Sequence, residues 1–202
     1  MKNIDTVVFD IGWVLIDIDA AGEKFSALMR SLDIRPESAF TKFWYVPEVR
    51  QHMTGELDSH SFFRLIRDHF GLDISFADFV AGWCDLFHPK PGMEEMFHRV
   101  AGNRRVGLLS DTDPLHWAAA RNAFPWLAEV EKPTLSFEVG YLKPHPEMYR
   151  AAAANCGTAA EKCLFIDDLM ANVDGARHYG MPAIHFTTAK KLAHDLRAAG
   201  IL

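Results

Sequence analysis

Short apolar runs alternate with helical patterns along most of the chain. Residues 4–9 (IDTVVF) form a β-branched run that stops at Asp10, and three later runs resemble it, at Arg105–Leu109, Lys162–Ile166 and Ala183–Phe186. Each run is followed by polar residues and then by a stretch with helical spacing of its apolar positions. Strands that alternate with helices predict an α/β fold, in which a parallel sheet carries helices on both faces.

The helices between these runs have recognisable ends. Asp113 and Pro114 form an N-cap followed by a proline at the first helical position, and Pro146 opens another helix in the same way. Gly180 and Gly200 are typical stop residues. Four helices are predicted from these signals: one that begins after Asp113, and three at Glu147 to about Asn155, Leu169–Tyr179 and about Thr188–Ala199.

The segment from about Asp19 to Pro89 has a different pattern. It contains no strand-like run, and its apolar residues recur at helical spacing. We expect about four helices here, broken near Pro36, near Pro47, around Thr54-Gly55 and at Gly71. A helical block inserted after the first strand of a sheet is typical of a lid or cap. We therefore expect two parts, a core of residues 1–18 and 90–202 and a helical cap of residues 19–89.

Composition excludes several classes of protein. The 202 residues are 49% hydrophobic and 24% charged, which is ordinary for a soluble globular protein, and no apolar run approaches the ~18 residues of a membrane span. The net charge of −6 and the scattered basic residues argue against nucleic acid as a partner. Three cysteines without C-x-x-C spacing fit a reducing compartment. We expect a cytoplasmic protein, a monomer or weak homodimer, with neither a nucleic-acid nor a membrane partner.

Polar residues follow the predicted strands at the ends where ligands bind in an open parallel sheet. Several carboxylates packed together repel one another and need a cation, and with oxygen ligands alone the natural choice is Mg²⁺. A hydroxyl and an ammonium group suit phosphate oxygens, and a carboxylate that faces phosphorus can act as a nucleophile. The residues concerned are Asp10, Ser110, Asp111, Lys143, Asp167 and Asp168.

Four segments in this order resemble the motifs of the haloacid dehalogenase superfamily: VVFDIGWVL, VGLLSDT, GYLKPHPEMY and CLFIDDLMANVDGARHYG. The opening and the small helical insert are most similar to phosphatases related to sugar-1-phosphate phosphatases and to the N-terminal domain of epoxide hydrolases. The resemblance implies a Rossmann-like core with a helical cap, and a magnesium-dependent phosphomonoester hydrolase that acts through an aspartyl-phosphate. It further implies that the substrate is a small phosphorylated metabolite, for which a sugar phosphate is one candidate.

The resemblance also implies a role for each matched residue. Asp10 is the expected nucleophile, Ser110 and Lys143 are expected to hold the phosphoryl group, and Asn172 is expected to help position its loop. The implied ligands of Mg²⁺ are Asp10, the backbone carbonyl of Gly12, Asp167 and Asp168.

Gly12 departs from the family pattern. Most phosphatases of the superfamily have a second aspartate at this position, which protonates the leaving oxygen and later activates water, and such help is worth about 10²–10⁴ in rate. We hypothesise that Asp111, or alternatively Asp17, supplies this proton transfer. The other interpretation is that Asp111 caps the following helix. A sugar 1-phosphate has a comparatively good leaving group, which suits an enzyme without the usual acid.

Aromatic and basic residues in the predicted cap are candidates for recognising the non-phosphate end of the substrate. Trp44, Tyr45, Arg50 and His52 are close together in sequence, and Trp13 follows the nucleophile as a candidate for the entrance. The alternative for the cap residues is packing inside the cap. The predicted substrate contacts are Ser110, Asp111, Lys143, Trp44 and Arg50.

Two other functions remain open at this point. The first is a 2-haloacid dehalogenase, which shares the fold and the nucleophile but needs no magnesium, so that the pair Asp167-Asp168 argues against it. The second is a non-catalytic regulatory protein that binds phosphate and has lost turnover at Gly12.

Overall fold

The computed structural model describes residues 3–19, 22–35 and 46–202. Within these parts of the chain, one parallel sheet contains β1 (Thr6–Phe9), β4 (Arg105–Ser110), β5 (Thr134–Leu135), β6 (Cys163–Asp167) and β7 (Ala183–His185). The strand order is β5-β4-β1-β6-β7. Phe9 of β1 is in register with Leu108 of β4 and Ile166 of β6, so the residues that follow these three strands are neighbours.

A short antiparallel ribbon leads from the sheet to a group of helices. It consists of β2 (Ile16–Ile18) and β3 (Phe87–Pro89). The described residues between these strands form α1 (Glu23–Ser31), α2 (Pro47–Met53), α3 (Ser59–Phe70) and α4 (Phe76–Trp83). Phe25, Phe62 and Phe79 are among the buried residues of a hydrophobic cluster that belongs mainly to these helices.

Strand β3 corrects the expectation that no strand occurs between Asp19 and Pro89. Three residues are too few to show periodicity, and Pro89, which has no N–H to donate, is tolerated because it lies at the end of the strand. The breaks at Thr54 and Gly71 are confirmed, since Thr54 ends α2 and Gly71 ends α3 with a φ of 62°. The expected break near Pro36 lies outside the described residues.

Helices cover both faces of the sheet, as predicted. On one face Phe9 packs against Phe97 and shares a cluster with Leu196, and on the other face Val8 shares a cluster with Met148 and Val173. This alternation follows from the two-residue period of a strand. The helices after the ribbon are α5 (Met93–Ala101), α6 (Pro114–Ala123), α7 (Ser136–Val139), α8 (Pro146–Cys156), α9 (Met170–Tyr179) and α10 (Ala189–Ala198).

The predicted helix ends of the core are confirmed. The Asp113 carboxylate accepts hydrogen bonds from the backbone N–H groups at the start of α6, and Pro146 is the first residue of α8. Gly180 ends α9 with a φ of 97°. Among the described residues, none of the helices combines the length and apolar character that crossing a membrane requires.

Candidate active site

Three neighbouring strands and one loop bring charged side chains together at one edge of the sheet. Asp10 directly follows β1, Ser110 is the last residue of β4, and Asp167 is the last residue of β6. Lys143 lies in the loop between α7 and α8. The side chains of Asp10, Ser110, Lys143 and Asp167 are all buried. The sequence-predicted cluster therefore forms, because parallel strands end at the same edge.

Lys143 is the centre of this cluster. Its Nζ lies 2.8 Å from Asp10 Oδ1 and 2.8 Å from Asp167 Oδ2, and it donates a longer hydrogen bond of 3.4 Å to the Leu109 carbonyl. Burial alone would lower the pKa of Lys143, but the charges of Asp10 and Asp167 raise it well above its ordinary value. The ammonium group is therefore charged over the whole physiological range.

Three carboxylates form a set that fits a hard divalent cation. Asp10, Asp167 and Asp168 each offer an oxygen, and these oxygens lie within 4.8 Å of one another. Burial raises the pKa of Asp10 well above its ordinary value; Lys143 opposes this shift, and Asp167 and Asp168 add to it. Burial and the charge of Asp167 also raise the pKa of Asp168. Burial is the larger cause of both shifts, and the part that comes from neighbouring carboxylates is repulsion that a second cation would reduce.

Asn172 and a backbone N–H fix the orientation of Asp167. Asn172 Nδ2 donates to both carboxylate oxygens of Asp167 at 3.1 Å, and the Leu169 N–H donates to Oδ1 at 2.8 Å. Asn172 lies in the first turn of α9 and is buried. The structure thus places the predicted loop-positioning residue directly against a carboxylate of the cluster.

Asp111 faces the same cavity but does not cap α6. Its Oδ1 and Oδ2 lie 2.9 Å and 3.2 Å from the backbone nitrogen of Lys143, which donates to them. The N-cap of α6 is Asp113, whose Oδ1 accepts from the N–H groups of Leu115 and His116, so the capping interpretation of Asp111 is wrong. Burial raises the pKa of Asp111 to about 6, although Lys143 lowers it.

Gly12 and Asp17 differ in their relation to the cavity. Gly12 lines it, and a Cβ atom at Gly12 would lie 2.6 Å from Ile18 Cδ1, so the missing aspartate coincides with a close approach of Ile18. Asp17 forms an ion pair with Lys90 and is not among the residues that line the cavity. The geometry therefore favours Asp111 over Asp17 as the group that faces a ligand.

The structure describes two of the four cap residues that the sequence suggests as substrate contacts. Trp44 and Tyr45 lie outside the described residues. Arg50, in α2, is exposed, and it is one of the cations whose charge lowers the pKa of Asp111, after the larger effects of burial and Lys143. His52 is fully buried and stacks on Phe62 with ring centroids 4.4 Å apart, so the packing interpretation is confirmed for His52.

Asp113 has contacts that the sequence did not reveal. Besides capping α6, its carboxylate lies 3.1 Å from Trp83 Nε1 and 2.8 Å from His116 Nδ1, and His52 Nε2 lies 3.5 Å away. Burial would raise the pKa of Asp113, but the nearby His116 and His52 lower it far below its ordinary value. Asp113 thus connects α6 of the core with α2 and α4, and the only signal in the sequence was the local Asp-Pro cap.

Comparisons with known proteins identify the family to which the chain belongs. The sequence model of the haloacid dehalogenase-like hydrolases matches residues 4–180. The chain is 22% identical to D-ribitol-5-phosphate phosphatase of Bacteroides thetaiotaomicron over 88% of this chain and 89% of that protein. It is 40% identical to flavin mononucleotide hydrolase 1 of Arabidopsis thaliana, but over 54% of this chain and 45% of that protein.

A solved structure shows the same fold. It is a HAD family enzyme from Bacteroides thetaiotaomicron in complex with magnesium and inorganic phosphate, with a TM-score of 0.82 and 24% identity over 96% of this chain and all of that chain. At this identity the likeness concerns the fold. The family match covers most of the chain and includes all four strand-end and loop positions described above, so the chain belongs to the haloacid dehalogenase-like hydrolases.

Proposed function

We propose that the protein is a magnesium-dependent phosphomonoester hydrolase that forms an aspartyl-phosphate on Asp10. The observation that carries this proposal is the buried contact of Lys143 with both Asp10 and Asp167, beside the carboxylate of Asp168. The two curated relatives support it, because both names describe enzymes that act on phosphate monoesters.

The metal site of this proposal consists of Asp10, Asp167, Asp168 and the backbone carbonyl of Gly12. The donor set is all oxygen and carries more negative charge than Lys143 balances, which suits Mg²⁺. When bound, Mg²⁺ would reduce the repulsion between the phosphoryl oxygens and the attacking carboxylate.

Two displacements at phosphorus complete the reaction. In the first, an oxygen of Asp10 attacks phosphorus, the bond from phosphorus to the ester oxygen breaks, and the alcohol leaves with a proton. In the second, water attacks phosphorus, the bond to Asp10 breaks, and inorganic phosphate leaves. Lys143 and Ser110 hold the phosphoryl oxygens through both steps, and the positive charge of Lys143 stabilises them.

Asp111 is the proposed proton carrier that replaces the aspartate missing at Gly12. It lines the cavity, and its pKa of about 6 is suited to both halves of the reaction. Its protonated form gives a proton to the leaving oxygen, and its ionised form takes one from the attacking water.

The same site bears on the class of substrate and on the alternative reaction, the hydrolysis of a 2-haloacid. The name of the ribitol-phosphate relative supports a sugar phosphate as substrate, whereas the mostly apolar lining of the cavity favours a less polar ester. The carboxylate cluster favours phosphate hydrolysis over 2-haloacid hydrolysis, since displacement of a halide needs no divalent cation.

A panel assay tests the proposal. Purified protein is assayed on sugar phosphates, nucleotides, small phosphoesters and a 2-haloacid, with Mg²⁺ and with excess chelator. We expect hydrolysis of at least one phosphoester that chelation abolishes. Haloacid hydrolysis that survives chelation would instead identify a dehalogenase. No turnover, together with a melting temperature raised by phosphate, would identify a non-catalytic phosphate-binding protein.

A further inference from the structure

The cavity beside Asp10 has two chemically different sides. Its volume is about 460 Å³, which lies within the usual range for ligand pockets and leaves room beyond a phosphoryl group. Ser110, Asp111 and Lys143 line the side formed by the strand ends. Away from them, the described lining is mostly apolar and includes Trp13, Phe25, Val49, Met53, Trp83 and Phe87.

Two polar residues on the apolar side already have partners within the protein. Asp113 and His116 line the cavity, but they pair with each other at 2.8 Å. The His116 ring also lies flat against Trp83, with an interplanar angle of 4° and centroids 5.0 Å apart. In the described part of the chain, this side therefore offers a ligand mainly carbon surface and aromatic rings.

Trp13 is held at the cavity in an unusual backbone conformation. Its φ is 55°, which is uncommon for a bulky residue, and its Nε1 donates a hydrogen bond of 2.8 Å to the Ile18 carbonyl. The side chain nevertheless stays 40% exposed, and Leu169, which also lines the cavity, is 52% exposed. Strained backbone conformations cluster at functional sites, and this one holds a large apolar side chain at the edge of the cavity.

This lining distinguishes between two kinds of phosphate ester. A polyol would place hydroxyl groups against carbon surface, where they lose their hydrogen bonds to water without gaining new ones. A flat apolar group would displace water from the same surface and pack against the aromatic rings, which is favourable.

We propose that the substrate is a phosphate monoester whose non-phosphate end is a flat, largely apolar ring system, and that the ring packs against Trp13. The inference rests on the proposed function, because Lys143 and Ser110 fix the phosphoryl end and thereby direct the rest of the ester into the apolar part of the cavity.

The test compares two esters of primary alcohols, 2-naphthylmethyl phosphate and glycerol 3-phosphate, whose leaving oxygens are both alkoxides. In the presence of Mg²⁺ we expect kcat/KM to be at least about tenfold higher for the naphthylmethyl ester, a ratio of the size that apolar pocket contacts provide. Trp13→Asn removes the ring, and asparagine tolerates a positive φ. This variant should reduce the ratio of the two kcat/KM values at least about threefold. Trp13→Phe keeps a ring and should retain most of the wild-type ratio.

Leu65→Asn is the matched control, because Leu65 is 44% exposed in α3 and does not line the cavity. Equal or faster hydrolysis of glycerol 3-phosphate by the unmodified protein overturns the inference but leaves the proposed function intact. A ratio that falls as much in Leu65→Asn as in Trp13→Asn overturns the assignment of Trp13. Hydrolysis of neither ester, nor of any in the wider panel, overturns the proposed function and the inference with it.

Discussion

Lys143 Nζ lies 2.8 Å from Asp10 Oδ1, and the two side chains are 2% and 10% exposed. Asp167 accepts from the same ammonium group at the same distance. One lysine from a loop therefore balances carboxylates at the ends of two adjacent strands, β1 and β6. This charge stabilises the folded site when no substrate is bound, and in the proposed mechanism it also attracts the phosphoryl group.

We expect Lys143→Met to lower the free energy of unfolding by about 3–5 kcal/mol in the absence of Mg²⁺, since Asp10 and Asp167 lose their buried counter-charge. Saturating Mg²⁺ should recover part of this loss, because the cation binds the folded state. Denaturant unfolding with and without Mg²⁺ measures both effects. Lys162→Met is the control: Lys162 pairs with Asp5 at 3.0 Å on the surface, so its loss should cost less than about 1 kcal/mol. Equal losses in the two variants would contradict the account.

Asn172→Ala should weaken Mg²⁺ binding about 10–100-fold, because the Asp167 carboxylate loses the amide that orients it. The Mg²⁺ dependence of kcat/KM provides the measurement. Asn155→Ala removes another side-chain amide, one that contacts Thr134 away from the cluster, and should leave the Mg²⁺ dependence as it is. An unaltered Mg²⁺ dependence in Asn172→Ala would show that Asn172 does not support the metal site.

The strands and the site they carry were predictable because the signals are local. Each buried strand is an apolar run in the sequence. Asp10 stands at the end of the run that forms β1, and Asp167 at the end of the run that forms β6. Which strands are neighbours could not be read from the sequence; the structure pairs β1 with both β4 and β6, so their ends meet. Strand β5 and the ribbon strands β2 and β3 were not found; β7 is as short as the ribbon strands, but it lies in the predicted apolar run Ala183–Phe186.

The contacts of Asp111 and Asp113 were not predictable because their partners are distant in sequence. Asp111 accepts from the backbone of Lys143, and Asp113 is contacted by Trp83 of α4. Nothing near either aspartate identifies those partners. From the sequence, Asp111 was equally compatible with a cap, and only the three-dimensional arrangement assigns the cap to Asp113.

We expect Asp111→Asn to lower kcat about 10²–10⁴-fold if water attack on the aspartyl-phosphate limits turnover. Asp111 must be ionised to accept a proton from that water, so wild-type kcat should rise with pH through about 6, the pKa of Asp111. The asparagine variant should lack this acid-side limb, because asparagine does not titrate. A pH–rate profile with the same limb in both proteins would remove Asp111 from proton transfer.

The pair of Asp113 and His116 should make stability depend on pH. Burial would lower the pKa of His116, but the Asp113 carboxylate raises it above its ordinary value. A histidine whose pKa is raised on folding stabilises the folded state below its unfolded pKa, about 6.5, and this contribution is lost as pH rises through the folded pKa. Denaturant unfolding between about pH 5 and pH 9 should show this decline in the wild type and a smaller one in His116→Gln.

His98→Gln is the control for that measurement. His98 lies near Glu94 and Glu129 but is 44% exposed, so solvent screens its charge and its replacement should preserve the wild-type slope. If His116→Gln also preserved the slope, the buried pair with Asp113 would not be the source of the pH dependence.

The most direct test of the central claim is to trap the phosphoryl group on Asp10. Enzyme turning over a phosphoester with Mg²⁺ is quenched in acid, digested and analysed by peptide mass spectrometry. We expect the peptide that contains Asp10 to carry the mass of one phosphoryl group, and we expect neither this adduct nor turnover in Asp10→Asn. A phosphoryl group on a different residue, or wild-type turnover in Asp10→Asn, would contradict the mechanism.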